Sequence, residues 1–365
     1  MRILHLTSGN LYGGIEALLV TLARHRELCP ALEQHFGVCF FGRLEGELRA
    51  MGVPVHHFGE VRVRSPWSIW QARSRLRKLL AEESFDAVIC HAPWPLGVFA
   101  PAVKNSRLVF WQHDVAGGTH WVERWARTKH PKLAISNSQI TGDSLPKLFP
   151  GLPAHVLYNP VGSADFAADE RMQARAEFGV GAEKKIILLA ARMEAWKGQA
   201  VLVEAAAKMK AAAGDWQIWI AGGPQRPQEE PFFSHLKELI AHFELADEVK
   251  LLGQRKDVRR LMFASDIYCQ PNVSPEPFGI VFAEAMLAGL PVVASSVGGP
   301  AELVGEQAGI LVPPGDADAV ARALQSLLVS GESRLKLGSA GRGRAQQLCD
   351  PGTQLNRLQA ILKAS

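Results

Sequence analysis

The sequence predicts an α/β protein built from two doubly wound domains. Short β-branched and aliphatic runs alternate with helix-length amphipathic segments, and the whole series occurs twice. At 365 residues the chain also exceeds the size at which one hydrophobic core keeps growing. Between the two series, Asn159-Pro-Val-Gly-Ser-Ala-Asp165 has the composition of a connector, so the boundary falls near residue 162.

Taken in order, the strand candidates of the first half cover 2–7, 36–41, 53–58, 87–91, 108–112, 133–136 and 156–158. The first feeds a Gly-Gly turn and a helix over 16–26, and the segment around 67–78 reads as an amphipathic helix. The second half opens with a polar helix at 169–178 and continues with strands at 185–191, 217–221, 249–252, 267–270, 291–294 and 310–312. Helices fall at 278–287, closed by Gly289, and at 317–328. Asp350-Pro351-Gly352 then breaks the chain before a terminal helix over 351–364. Open parallel sheets bind ligands beyond the carboxyl ends of their strands. Two facing domains therefore create a central cleft, lined by the loops that leave the strands.

Composition is that of an ordinary globular protein, 47% hydrophobic and 21% charged. No apolar run reaches membrane-spanning length, and Met1-Arg-Ile-Leu-His-Leu6 enters a strand pattern at once instead of a secretory signal. A cytoplasmic location is the expectation. Cys29, Cys39, Cys90, Cys269 and Cys349 form no C-x-x-C pair and read as reduced core residues. The net charge of +4 divides into +6 over residues 1–160 and −2 over the rest. Much of the excess sits in Arg73, Arg75, Arg77 and Lys78, just after Trp67 and Trp70. A solvated helix face is the plainer reading; peripheral contact with an anionic membrane or a lipid-linked acceptor is the sharper one. No recognition motif for nucleic acid accompanies the charge, so none is expected as a partner.

Four constellations point to chemistry. In Glu276-Pro-Phe-Gly-Ile-Val-Phe-Ala-Glu284 two carboxylates eight residues apart straddle a strand-to-helix corner. Pro277 suits the first helical position, and Gly279 lets a ligand approach the amides of Phe278, Gly279 and Ile280. Strand 185–191 runs into Arg192-Met-Glu-Ala-Trp-Lys197, two cations placed to flank a diphosphate in place of a metal. Gly13-Gly14 precedes the first helix, where bare amides make a phosphate cradle or a plain tight turn. His113 ends an apolar strand at the expected cleft, followed by Gly117-Gly118. Asp316-Ala-Asp318 opens a helix after Pro313-Pro-Gly; capping explains it, and no metal is assigned.

Together, in order and approximate separation, these residues resemble the retaining glycosyltransferases of family four, which have the GT-B fold of two Rossmann-like domains. Ser136-Asn-Ser138, Tyr158-Asn-Pro-Val161 and Gly309-Ile-Leu-Val-Pro-Pro-Gly315 are secondary echoes, and the likeness is strongest over 185–316. The resemblance implies an acceptor domain over 1–162 with a crossover helix over 350–365, and a nucleotide-sugar domain over 163–349. It implies transfer of a sugar from a UDP- or GDP-sugar to an acceptor hydroxyl with retained configuration, with no metal or other cofactor. The product would be a polysaccharide, lipopolysaccharide or glycolipid. Arg192 and Lys197 would meet the departing diphosphate and Glu284 the ribose hydroxyls. Glu276 and the amides of 278–280 would hold sugar and β-phosphate, and His113 would contact the sugar. One departure is Ala221-Gly222-Gly223-Pro224, with glycine where an acidic residue often stands. An epimerase or phosphorylase on the same fold, or a non-catalytic sugar-nucleotide sensor, would reuse the same grip.

Overall fold

The computed structural model describes residues 1–10, 12–162, 168–210 and 215–364. The chain forms two compact units, Met1–Gly162 with Cys349–Ser365, and Ser163–Leu348. In the first, seven parallel strands run β1 Arg2–Leu6, β2 Glu33–Val38, β3 Val55–His57, β4 Ala87–His91, β5 Arg107–Gln112, β6 Leu133–Ser136 and β7 Ala154–Val156. Their order is β3-β2-β1-β4-β5-β6-β7, so the direction of winding reverses between β1 and β4.

Period-two alternation divides the side chains of this sheet between two cores. Ile3, Ile89, Val109 and Trp111 lie in one cluster, together with Leu18, Leu22 and Phe36. Leu4, Leu6, Val88, Cys90 and Phe110 lie in the other, with Leu76 and Phe99. The terminal helix Pro351–Ala364 supplies Leu355, Leu358, Ile361 and Leu362 to the first cluster. Each such side chain contributes roughly 1.5–3 kcal/mol when fully buried. The return to this unit starts at Cys349, where Val161 N–H donates to the Cys349 carbonyl at 2.9 Å, one residue before the expected 350.

In the second unit the strands are β8 Lys185–Ala190, β9 Trp216–Ala221, β10 Val249–Gly253, β11 Ile267–Gln270, β12 Val292–Ser295 and β13 Gly309–Val312. All are parallel, in the order β10-β9-β8-β11-β12-β13, and winding reverses between β8 and β11. Ligands of such sheets bind outside the strand ends at that reversal.

Several element ends differ from expectation for physical reasons. The second strand spans Glu33–Val38 instead of 36–41, because β1 pairs with it from Arg2↔Glu33 onward and enforces strand geometry on polar residues. The helix expected over 278–287 begins at Ile280. Gly279, at φ +82°, is its N-cap, and that left-handed conformation interrupts the turn Pro277 was expected to start.

Candidate active site

The loops that leave β8 and β11, adjacent strands on either side of the reversal, bring Lys197 and Glu276 into direct contact. Lys197 Nζ donates to Glu276 Oε2 and stands 3.9 Å over the Trp196 ring. Both side chains are nearly buried, at 11% and 12% exposure, so each needs the other. A chain of hydrogen bonds fixes the carboxylate from behind. Tyr268 OH donates to Gln270 Oε1 at 2.6 Å, Gln270 Nε2 to Asn272 Oδ1 at 2.8 Å, and Asn272 Nδ2 to Glu276 Oε2 at 3.2 Å.

Backbone contacts hold both loops in place. Gly198, at φ +82°, lies so close to the segment after β11 that a Cβ there would be 2.0 Å from the Pro271 carbonyl oxygen. Glu276 makes a parallel bridge with Gly298, and Gly299 N–H donates to its carbonyl at 2.7 Å. Phe278 is 2% exposed and anchors the corner that leads to Gly279 and Ile280.

The other two predicted residues of this unit have separate partners. Arg192 pairs with Glu194 at 3.1 Å and keeps 41% of its side chain exposed. Its carbonyl accepts from Gln199 Nε2 at 2.7 Å. Glu284, little more than a turn into the helix that starts at Ile280, accepts from Arg259 Nε at 2.9 Å. Burial raises the Glu284 pKa and the Arg259 charge opposes that rise. Gln270, Asn272, Trp196 and Arg259 are the site's unforeseen members. Gln270, Asn272 and Arg259 carry no sequence motif, since their roles arise only where neighbouring strands and helices meet, and Trp196 lies within the Arg192–Lys197 segment with no role expected of it.

In the first unit Gly13 caps the helix Gly14–Arg24, two residues earlier than expected, and Glu16 takes up part of the cradle. The Gly13 N–H donates to Glu16 Oε2 at 3.0 Å. His113, buried just after β5, has its carbonyl bonded by Asn137 Nδ2 at 3.3 Å and its ring Nε2 at 2.9 Å from His91 Nδ1. The Gly117 segment is tied down by Glu123, whose Oε1 accepts Gly117 N–H at 3.0 Å.

The basic helix Pro66–Glu82 differs from its expected use as one charged face. Arg73 is turned inward, donating to the carbonyls of Val98 at 2.6 Å and Gly97 at 3.2 Å, where it satisfies the end of the helix Pro93–Phe99. Trp67 and Trp70, 63% and 52% exposed, stack on each other with centroids 4.7 Å apart. Asp316 caps its helix by accepting Ala319 N–H at 2.8 Å, and Asp318 pairs with Lys208 at 2.8 Å. All five cysteines are buried and free. Among the described residues one group has metal-ligand spacing, His35, His56 and Glu83, with donor atoms within 4.8 Å of one another. Arg2 already supplies positive charge there, 3.7 Å from Glu83 and 3.0 Å from Glu33. Among the described residues no helix is long and apolar enough to cross a membrane.

Two family models divide the chain as the units do: Glycosyltransferase Family 4 matches residues 12–164, and Glycosyl transferases group 1 matches 170–344. The chain is 36% identical over 161 residues to the phosphatidyl-myo-inositol mannosyltransferase of Mycobacterium leprae, which is 43% of this chain and 41% of that one. It is 32% identical over 201 residues to the D-inositol 3-phosphate glycosyltransferase of Mycobacteroides abscessus, 53% of this chain and 44% of that one. The matched stretch thus spans less than half the length of these two relatives. Among solved structures, HepE of Anabaena in complex with UDP and glucose is similar over the whole of both chains, with TM-score 0.86 and 25% identity. The sucrose-phosphate synthase of Thermosynechococcus elongatus shares the fold at TM-score 0.79, covering 100% of this chain and 99% of that one. With both units matched and the GT-B fold in place, the chain belongs to the group 1 glycosyltransferases of family 4.

Proposed function

We propose that this protein transfers a sugar from a UDP- or GDP-sugar to an acceptor hydroxyl, with the anomeric configuration retained and without a metal ion. The product would be a polysaccharide, lipopolysaccharide or glycolipid. The observation that carries the reading is the buried Lys197–Glu276 pair at the winding reversal of the second unit. An ammonium has three donors, and one is spent on Glu276. The others remain for a phosphate oxygen, with Arg192 five residues away as a second cation. Charge that grows on the diphosphate as the glycosidic bond breaks would then meet groups already in place, which is where electrostatic catalysis is strongest. The leaving phosphate accepts the acceptor's proton, so no protein nucleophile is needed. Glu284 holds ribose hydroxyls, Glu276 with the corner at 278–280 holds the sugar and β-phosphate, and His113 contacts the sugar. UDP and glucose in HepE support a nucleotide-linked donor, and the glycosyl transfers named for the mycobacterial relatives support the reaction class.

We place the acceptor with the first unit, where Trp67, Trp70, Arg77 and Lys78 offer an exposed aromatic and basic surface to an anionic membrane or a lipid-linked acceptor. The deciding experiment screens UDP-, GDP- and ADP-sugars for thermal stabilisation. Turnover of the best donor is then followed in excess EDTA, with the product anomer read by NMR. Retained configuration at undiminished rate is the expected result. An inverted product overturns the mechanism, and loss of activity rescued by Mg²⁺ or Mn²⁺ overturns metal independence. Donor epimerised without acceptor, or turnover that requires inorganic phosphate, assigns a different reaction.

A further inference from the structure

Four buried polar side chains cross the first sheet in single file, one from each of the adjacent strands β2, β1 and β4 and one from the end of β5: Gln34, His5, His91 and His113. They occupy the same face, because their positions keep step with Phe36, Ile3, Ile89 and Trp111 of one core cluster. Their contacts are continuous. Gln34 Oε1 is 3.3 Å from His5 Nε2, His5 Nδ1 is 2.9 Å from His91 Nε2, and His91 Nδ1 is 2.9 Å from His113 Nε2. Successive histidine rings lie 5.1 Å apart, with Trp111 stacked against His91 at 5.1 Å.

Hydrogen-bond chemistry gives this chain a single direction. Gln34 Nε2 donates to the Leu22 carbonyl at 3.4 Å, and a carbonyl can only accept, so the amide oxygen is the atom turned to His5. That oxygen also only accepts. His5 must therefore carry its proton on Nε2, which leaves Nδ1 as a bare acceptor. His91 then donates from Nε2 to His5, and its own bare Nδ1 receives from His113. A neutral imidazole has one N–H, so each link fixes the next. All three rings are neutral near pH 7: burial lowers His5 to about 4 and His113 to about 3, and holds His91 well below the usual histidine value, with the two neighbouring rings adding to the effect. The hydrogen bonds of His113 run through its Nε2 and its carbonyl, which leaves Nδ1 as the ring nitrogen at the open end of the chain among the described residues.

We propose that Gln34, acting through His5 and His91, fixes His113 as the Nε2–H tautomer and so makes Nδ1 an obligatory hydrogen-bond acceptor toward whatever ligand reaches it. Its chemical consequence is selectivity for a hydroxyl. His113 would receive a proton-bearing sugar oxygen and could not donate to a carbonyl or phosphate oxygen. Only this last step rests on His113 facing the donor sugar; the direction of the chain does not. Gln34, His5 and His91 are positioning residues, and His113 alone would touch substrate.

The test is the tautomer itself. In the full chain labelled with ¹⁵N-histidine, two-bond ¹⁵N–¹H correlations at neutral pH identify the protonated nitrogen of each ring, with single His→Gln variants giving the assignment. His113 is expected to show a protonated Nε2 and a bare Nδ1. In Gln34→Leu that single pattern should give way to a mixture of both tautomers, whereas Gln34→Glu, whose carboxylate also only accepts, should keep it. A protonated Nδ1 in the unmodified protein or in Gln34→Glu overturns the proposal, as does a His113 pattern unchanged in Gln34→Leu. If Gln34→Leu does not fold, the other two spectra still decide. Should the tautomer be as stated while His113→Ala turns over normally, the sugar-facing role of His113 fails and the directed chain stands.

Discussion

Lys197 meets a carboxylate in the free protein and, by our proposal, a diphosphate during turnover, so its two functions are separable by mutation. Lys197→Ala strips a nearly buried Glu276 of its cation and should cost about 2–3 kcal/mol of stability. It should also lower turnover about a hundredfold or more, the usual loss for one preorganised electrostatic contact. Adding Glu276→Gln removes the orphaned charge, so calorimetry should find most of the stability restored in the double variant while turnover stays low. A double variant with near-normal turnover would remove Lys197 from the chemistry. The histidine chain makes a pH prediction of definite sign. Histidines whose pKa values fall from an ordinary 6.5 to about 4 (His5) and about 3 (His113) bind fewer protons folded than unfolded. Their contribution to stability is complete above pH 6.5 and is lost as the pH falls from there toward 4 and below, by up to about 1.4 kcal/mol per pH unit for each ring. Melting temperature should drop steeply between pH 6.5 and 5, and His5→Gln with His91→Asn should flatten that slope. A slope of the same steepness in the double variant would locate the acid sensitivity elsewhere. Glu276 and Lys197 were legible in the sequence because their chemistry and position on loops after strands mark them. Gln34, His5 and His91 were not, since a lone polar residue in an apolar strand reads the same whether or not its neighbours on the next strands complete a chain.

At the scale of elements, alternation of short apolar runs with amphipathic segments was enough to anticipate both parallel sheets, and the expected terminal helix is present. Ends were less legible, because partners elsewhere decide them: β1 extends β2 backward to Glu33, and the left-handed Gly279 delays the helix to Ile280. The basic helix Pro66–Glu82 shows the same limit, since charge count alone gave Arg73 no distinction from Arg77, yet Arg73 caps a neighbouring helix. The docking surface proposed there is accordingly narrower than the sequence suggests and depends on the stacked Trp67–Trp70 pair. Trp67→Ser with Trp70→Ser should abolish co-sedimentation with vesicles containing anionic lipid, and raise the Michaelis constant for a lipid-linked acceptor several-fold. Nucleotide affinity should not change. Vesicle binding retained by that variant, or lost only when Arg73 is replaced, would show that the helix does not dock as proposed.

At the scale of the whole molecule, the residues assigned to the diphosphate and ribose, Arg192, Lys197, Glu276 and Glu284, all belong to one unit, while Gly13, Gly14 and His113 belong to the other. Each unit has its own sheet and its own core, so each can report separately on ligand binding. A nucleotide present at 100 times its dissociation constant adds about 2.7 kcal/mol of stability to whatever unit it binds. For a unit of this size that is a rise of roughly 5–10 °C in melting temperature. Scanning calorimetry with the nucleoside diphosphate of the preferred donor should show this rise in the unmodified protein and lose it in Lys197→Ala. His113→Ala should keep the nucleotide's stabilisation nearly intact and yet lose turnover, because by our proposal its contact is to the sugar while the diphosphate is held by the other unit. The same contrast should appear in kinetics, with nucleotide inhibition constants changed by Lys197→Ala and unchanged by His113→Ala. If His113→Ala instead abolishes nucleotide stabilisation to the same extent as Lys197→Ala, the diphosphate is not held by the second unit alone, and the division of labour between the units is wrong.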